Sequence, residues 1–178
     1  MRIVGGELRG RRLAAPPGRS AAIRPTADRV REALFSVLGE RVAGARLLDL
    51  FCGTGALAIE ALSRGAARAT LVDVDPRLAR RNLSDLGVEA RTEVVRGDAI
   101  RFLRRRRDRF DLIFCDPPYN IADRFEGDLD SLIPPRLAKG GRVIVESSAR
   151  RPLELGALRV AFERRYGEAL LRIYRAAP

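Results

Sequence analysis

Four times in succession, an apolar run of strand character is followed by a run of helical character. Residues 47–51 precede 56–63. Residues 69–74 precede 76–86, where Pro76 takes a favoured first helical position. Residues 91–96 precede 99–106, and 110–115 precede a loop and then 125–137. A fifth strand is read over 142–147, and 158–165 with 170–175 make a closing hairpin around Gly167. Strands that are apolar on both faces belong in a parallel sheet covered by helices, and the final hairpin makes that sheet mixed. Ahead of the alternation, a helix capped by Thr26 and running to about residue 38 places Val30, Leu34, Val37 and Leu38 on one stripe.

Sheets of this kind bind ligands beyond the carboxyl ends of their strands, at the point where the winding reverses. The residues just after each strand are therefore informative. Asp49 leads to Gly53 and Gly55 after the first strand, and Asp73 to Asp75 after the second. Asp98 comes after the third, and Asp116-Pro117-Pro118-Tyr119 after the fourth.

Charge narrows the partner. The chain of 178 residues carries Lys+Arg 34 against Asp+Glu 23, a formal charge of +11. Such an excess on a small body suggests a polyanion, most often nucleic acid. Residues 1–45 hold nine arginines against four acids, and 150–178 hold seven against three, so the excess sits mainly at the two ends. Lys139 is the one lysine, and the arginine skew by itself reads as coding bias. Gly5-Gly6, Gly10 and Pro16-Pro17-Gly18 make the N-terminal stretch a hairpin and loop, with short strands at 2–4 and 11–13. We therefore expect an N-terminal unit, 1–40, that presents Arg9, Arg11, Arg12 and Arg24 to a nucleic acid, and a main domain, 41–178.

Several classes fall away. No histidine is present, so neither histidine metal ligands nor a histidine base can operate. Cys52 and Cys115 are too far apart to form a CxxC pair and read as two reduced thiols on neighbouring strands. No metal site is expected. The N-terminus lacks the apolar stretch of a signal peptide and no segment is apolar enough to span a bilayer, so a cytoplasmic protein with no membrane partner is expected.

Gly53-Thr54-Gly55-Ala56-Leu57-Ala58 fits G-x-G-x-x-A, a dinucleotide fingerprint, and Asp73 lies 18 positions after Gly55, where a ribose-binding acid is expected. Asp49 argues against a dinucleotide, because its charge would face a pyrophosphate. S-adenosylmethionine carries a sulfonium and an ammonium instead, and fits Asp49 better. Asp98 could take the adenine amine while Ala99 offers its amide, although Gly-Asp before a helix is also an ordinary cap. Asp75 reads as a cap for the helix at Pro76.

Asp116-Pro117-Pro118-Tyr119 suits methyl transfer to an exocyclic base amine, whose lone pair is delocalised into the ring. Such a nitrogen must be held in line with the methyl, with its protons engaged. Asp116 can accept one N–H and the Pro117 carbonyl the other, while Tyr119 stacks on a base turned out of its helix. The arginine run 104–107 ends a helix at the opposite sheet edge and reads as complementing that helix end.

These residues carry a resemblance. The segments Met1-Arg2-Ile3-Val4-Gly5-Gly6, Arg24-Pro25-Thr26, Arg31-Glu32-Ala33-Leu34-Phe35, Asp49 through Leu57, Glu60-Ala61-Leu62-Ser63-Arg64-Gly65-Ala66 and Asp116-Pro117-Pro118-Tyr119 resemble the RsmD family. Asp73 stands where the family usually has Glu. The resemblance implies an α/β, Rossmann-like class I methyltransferase fold, with a mainly parallel seven-stranded sheet, an antiparallel C-terminal hairpin and a small N-terminal β-hairpin. It implies methyl transfer from S-adenosylmethionine to a guanine 2-amino group of small-subunit ribosomal RNA, naked or assembled, by a monomer. It also implies that the N-terminal hairpin helps hold the RNA. An enzyme acting on DNA amines and a non-catalytic nucleic-acid-binding module remain as alternatives.

Overall fold

The structure is a computed structural model that describes residues 1–15, 25–118 and 122–177, with the backbone alone for 25–28 and 123. Seven strands form one sheet: β1 (Arg46–Leu50), β2 (Arg68–Asp73), β3 (Thr92–Arg96), β4 (Phe110–Cys115), β5 (Leu137–Ser148), β6 (Arg159–Tyr166) and β7 (Ala169–Arg175). Their spatial order is β3-β2-β1-β4-β5-β7-β6. The first five strands run parallel, and β7 runs antiparallel between β5 and β6. The mixed sheet read from the apolar runs is thus present, closed by its hairpin.

Among the described residues five α-helices accompany it: α1 (Pro25–Leu38), α2 (Ala56–Ser63), α3 (Arg77–Leu86), α4 (Ala99–Arg105) and α5 (Ala122–Leu132). Side-chain alternation along each strand splits the core into two layers. Leu47, Leu71, Phe114, Ile144 and Leu171 pack on one face with α1, α2 and α3. Leu48, Leu50, Val72, Cys115 and Val145 pack on the other with α4 and α5. No helix of the described residues is long and apolar enough to cross a membrane.

The order reverses at β1, which is flanked by β2 and β4. Leu50 pairs with Cys115, so the segments leaving β1 and β4 emerge side by side. That crevice is where a ligand binds in a sheet of this winding.

Three local expectations need correction. The helix expected at 125–137 is α5, ending at Leu132, because Pro134 and Pro135 lack amide donors; a 3-10 turn over Pro134–Arg136 leads into β5 instead. Pro76 stands at the cap of α3 rather than inside it, with no side-chain cap bond. Asp75 is not that cap: it holds the Arg77 guanidinium with bonds of 2.7 and 2.6 Å.

The N-terminal hairpin is short. Arg2 and Arg12 form a single antiparallel bridge, supported by Ile3 N donating to Arg11 O (3.0 Å) and Leu13 N to Met1 O (3.1 Å). Ile3 and Leu13 are buried in the same layer as Leu47 and Phe35, so the segment is sealed onto the main core.

Candidate active site

Asp49, near the end of β1, is 2% exposed and turned toward the layer that holds α2. Its Oδ2 accepts a 3.3 Å hydrogen bond from Ala58 N, and no cation pairs with it among the described residues. Burial, with the nearby charge of Asp73, pushes its carboxyl up to about 7. Beyond it the chain turns sharply. Phe51 has φ 60, an uncommon and strained value for a bulky side chain, and its ring stacks on Phe125 at 6.1 Å. Gly53 and Gly55 come next at φ 52 and 75, conformations that favour glycine. A Cβ on Gly55 would also come within 3.1 Å of Leu71 and 3.3 Å of Ala79, so this glycine lets the loop settle against β2 and α3.

Asp73, at the end of β2, ties the loops together. Its Oδ2 accepts from Gly53 N (2.8 Å) and its Oδ1 from Asp75 N (2.9 Å). Asp98 caps α4 by accepting from Arg101 N at 2.8 Å, which is the ordinary role left open for it, and Ala99 is buried behind it.

Asp116 and Pro117 leave β4 one strand from Asp49, with Pro117 buried. Water reaches Asp116, yet protein crowds it closely. Burial, then the charges of Glu146 and Asp49, hold its carboxyl well above the usual carboxylate range. Tyr119 and Arg24 lie outside the described residues. Cys52 and Cys115 are free and buried, and burial is the largest cause raising both thiols.

The other arginines expected to hold RNA are all exposed but lie elsewhere. Glu7 N donates to Ser63 O (2.8 Å) at the far end of α2, and Arg11 donates to the Asp85 carbonyl (3.1 Å) near the end of α3. The hairpin tip with Arg9 and Arg11 therefore sits at the sheet edge away from Asp116. Arg12 lies on the returning strand, which brings Ala14 to Asn82. The run 104–107 is at the end of α4, with Arg104 on Asp128 and Arg106 on Glu93 and Asp108.

Sequence reasoning missed three features. Glu60 is fully buried and joins Val4 N (2.8 Å), Arg64 Nε (2.8 Å) and, at 3.6 Å, Arg31 Nε. Ser63 Oγ accepts from Leu8 N and donates to Gly5 O. Two of the segments that carry the resemblance, at the N-terminus and at 60–66, are thus two sides of one contact. Asn82 joins the glycine loop to the N-terminal segment through Thr54 O (2.9 Å) and Ala14 N (2.8 Å). Lastly, Ser148 pairs with Ala169, so the β6–β7 turn lies at the Asp116 end of the sheet, with exposed Arg150, Arg164 and Arg165 around it.

Comparison with known proteins now decides the family. The family described as Conserved hypothetical protein 95 matches residues 1–175. The chain is 41% identical over 121 residues to Ribosomal RNA small subunit methyltransferase D of Escherichia coli K12, covering 67% of this chain and 60% of that one. The chain belongs to the RsmD family. It spans about 60% of the length of that Escherichia coli relative. YlbH of Bacillus subtilis is 42% identical over 125 residues, 67% of each chain. The solved structure of yhhF from Escherichia coli superposes with a TM-score of 0.83 at 34% identity, covering 100% of this chain and 99% of that one.

S-adenosylmethionine is the cofactor that the resemblance implies. The residues present fit it. A buried carboxylate with no cation beside it is costly, and the donor's ammonium and sulfonium are the charges that would relieve Asp49. Asp49 and Asp73 would hold the amino-acid and ribose ends, with Gly53 letting the ligand approach the backbone closely. A Cβ at Gly53 would meet nothing nearer than the Phe51 carbonyl at 4.0 Å, so it is the left-handed backbone, not crowding, that calls for glycine.

Proposed function

We propose that this chain transfers a methyl group from S-adenosylmethionine to the exocyclic 2-amino group of a guanine in small-subunit ribosomal RNA. The observation that supports it best is the register of β1 with β4. It sets a buried acid, with no cation on it among the described residues, under a glycine loop and one strand from the Asp-Pro-Pro segment that leaves β4. The relative named Ribosomal RNA small subunit methyltransferase D supplies the substrate class.

The bound donor supplies an electrophilic methyl carried on a sulfonium. The chain's part is positioning. Asp116 accepts one N–H of the amine and the Pro117 carbonyl the other, which turns the nitrogen lone pair out of conjugation and along the transfer axis. The amine nitrogen forms its bond to the methyl carbon as the sulfur–methyl bond breaks, and the amine gives up one proton. The raised carboxyl of Asp116 makes it a better acceptor for that proton than an ordinary aspartate. Tyr119 stacks on the flipped base. Asp98 and Ala99 take the adenine of the donor.

The RNA backbone is held by arginines on both flanks: Arg9, Arg11, Arg12 and Arg24 on the N-terminal side, and Arg150, Arg164 and Arg165 around the β6–β7 turn. Isothermal titration with S-adenosylmethionine tests the first half of this reading. Saturable binding that Asp49→Asn weakens is expected; no saturable binding would overturn it.

A further inference from the structure

Glu146 belongs to none of the roles above, yet β5 places it beside them. Cys115 pairs with Val145, so the next residues, Asp116 and Glu146, stand level at the carboxyl ends of adjacent strands, whose spacing is about 4.8 Å. Alternation fixes the face they share. Cys115 and Val145 pack in the layer of α4 and α5, whereas Phe114 and Ile144 pack in the layer of α1 and α2. Asp116 and Glu146 follow Phe114 and Ile144, and Asp49 follows Leu47, onto that second side.

Glu146 is half-buried on a central strand, paired through its backbone with β7, and its carboxylate makes no hydrogen bond or ion pair among the described residues. The charge of Glu146 helps to raise the Asp116 carboxyl, which agrees with this placement, and burial raises Glu146 itself. Among the described residues no group of three or more His, Cys, Asp or Glu is arranged to hold a metal ion. Among the described residues neither carboxylate is met by a donor.

We propose, on the methyltransferase reading above, that Glu146 selects guanine by accepting its ring N1–H while Asp116 accepts from the neighbouring 2-amine. The chemistry of the bases makes the choice. In guanine the exocyclic amine adjoins a ring N–H, so two donors stand side by side and meet two acceptors. In adenine and cytosine the amine adjoins a ring nitrogen lone pair, which a carboxylate at Glu146 repels. An analogue without the N–H leaves a buried acceptor unpaired, the situation that gives hydrogen-bonding sites their strongest discrimination.

The test is transfer to an RNA hairpin with one unpaired guanosine, against the same hairpin with 2-aminopurine at that position. That base keeps the 2-amine but presents a lone pair at N1. Product nucleosides are measured by mass spectrometry, and assembled small subunits are run alongside. The wild type is expected to favour guanosine by about 100-fold or more, and Glu146→Gln, whose amide can donate to N1, to lower that ratio about tenfold or more. Glu146→Ala should lower it as well, which guards against an effect peculiar to the amide. An unchanged ratio in both variants, whatever their absolute rates, overturns the role of Glu146. Wild-type inactivity on every RNA, assembled subunits included, would instead overturn the methyltransferase reading on which it rests.

Discussion

Gly53 and Asp73, 20 positions apart, are joined by a 2.8 Å hydrogen bond from the glycine amide to the carboxylate. The same carboxylate takes the Asp75 amide with its other oxygen. The acid expected to bind a ribose is therefore also the clasp of the glycine loop. Asp73→Ala removes two charge-assisted bonds, worth about 1.5–3 kcal/mol each. It should weaken binding of S-adenosylhomocysteine by about tenfold or more and raise hydrogen exchange at the Gly53 amide. Titration calorimetry and exchange measurements check this.

Asp49 predicts a pH dependence. Its carboxyl titrates at about 7 in the folded protein, against about 3.9 in an unfolded chain. Between these values the native state holds the extra proton, so ligand-free stability should fall as pH rises from about 4 to 7 and level off above. In the proposed function the donor's cationic groups pair with the ionised form. Affinity should therefore rise by up to about tenfold per unit as pH approaches 7 from below. Asp49→Asn should flatten both profiles, which melting curves and calorimetry between about pH 5.5 and 7.5 would reveal.

Glu60 anchors the N-terminal segment to α2 from a fully buried position. Glu60→Ala leaves the 5% exposed Arg31 without that carboxylate, a change expected to cost about 3–5 kcal/mol. Chemical denaturation should report the destabilisation. Limited proteolysis should cut first within the N-terminal segment that Glu60 holds.

Most of the fold is legible in the sequence because apolar runs record burial directly. The five parallel strands, the glycine loop and the Asp-Pro-Pro segment all emerge from that pattern. The features that are not legible depend on distant partners. Glu60 and Ser63 read as helix residues until Val4 and Leu8 dock on them. Glu146 looks like any charge in a strand until register sets it beside Asp116. The end of α5 is hidden because the apolar stripe outlasts the helix, whereas Pro134 and Pro135 stop it at Leu132.

RNA affinity should report on the arginines of the N-terminal flank. Removing one phosphate contact lowers the slope of log affinity against log salt by about 0.7 for single strands. Arg9→Ala and Arg12→Ala should each show about that change. Arg11→Ala should show less, because its guanidinium is bonded to the Asp85 carbonyl. Filter binding across a salt series checks this, and an unchanged slope in the first two variants would remove the hairpin from the RNA contact.

The central claim is that Asp116 holds a guanine amine for transfer while the β1 loop holds the donor. Its most direct test is nucleoside mass spectrometry of small-subunit RNA and assembled subunits incubated with labelled S-adenosylmethionine and either wild type or Asp116→Ala. N2-methylguanosine from the wild type and at least a hundredfold less from the variant, about 2.7 kcal/mol of lost transition-state stabilisation, with donor affinity nearly unchanged, is the expected result. A different methylated nucleoside from the wild type, or a variant that still methylates at the wild-type rate, would contradict it.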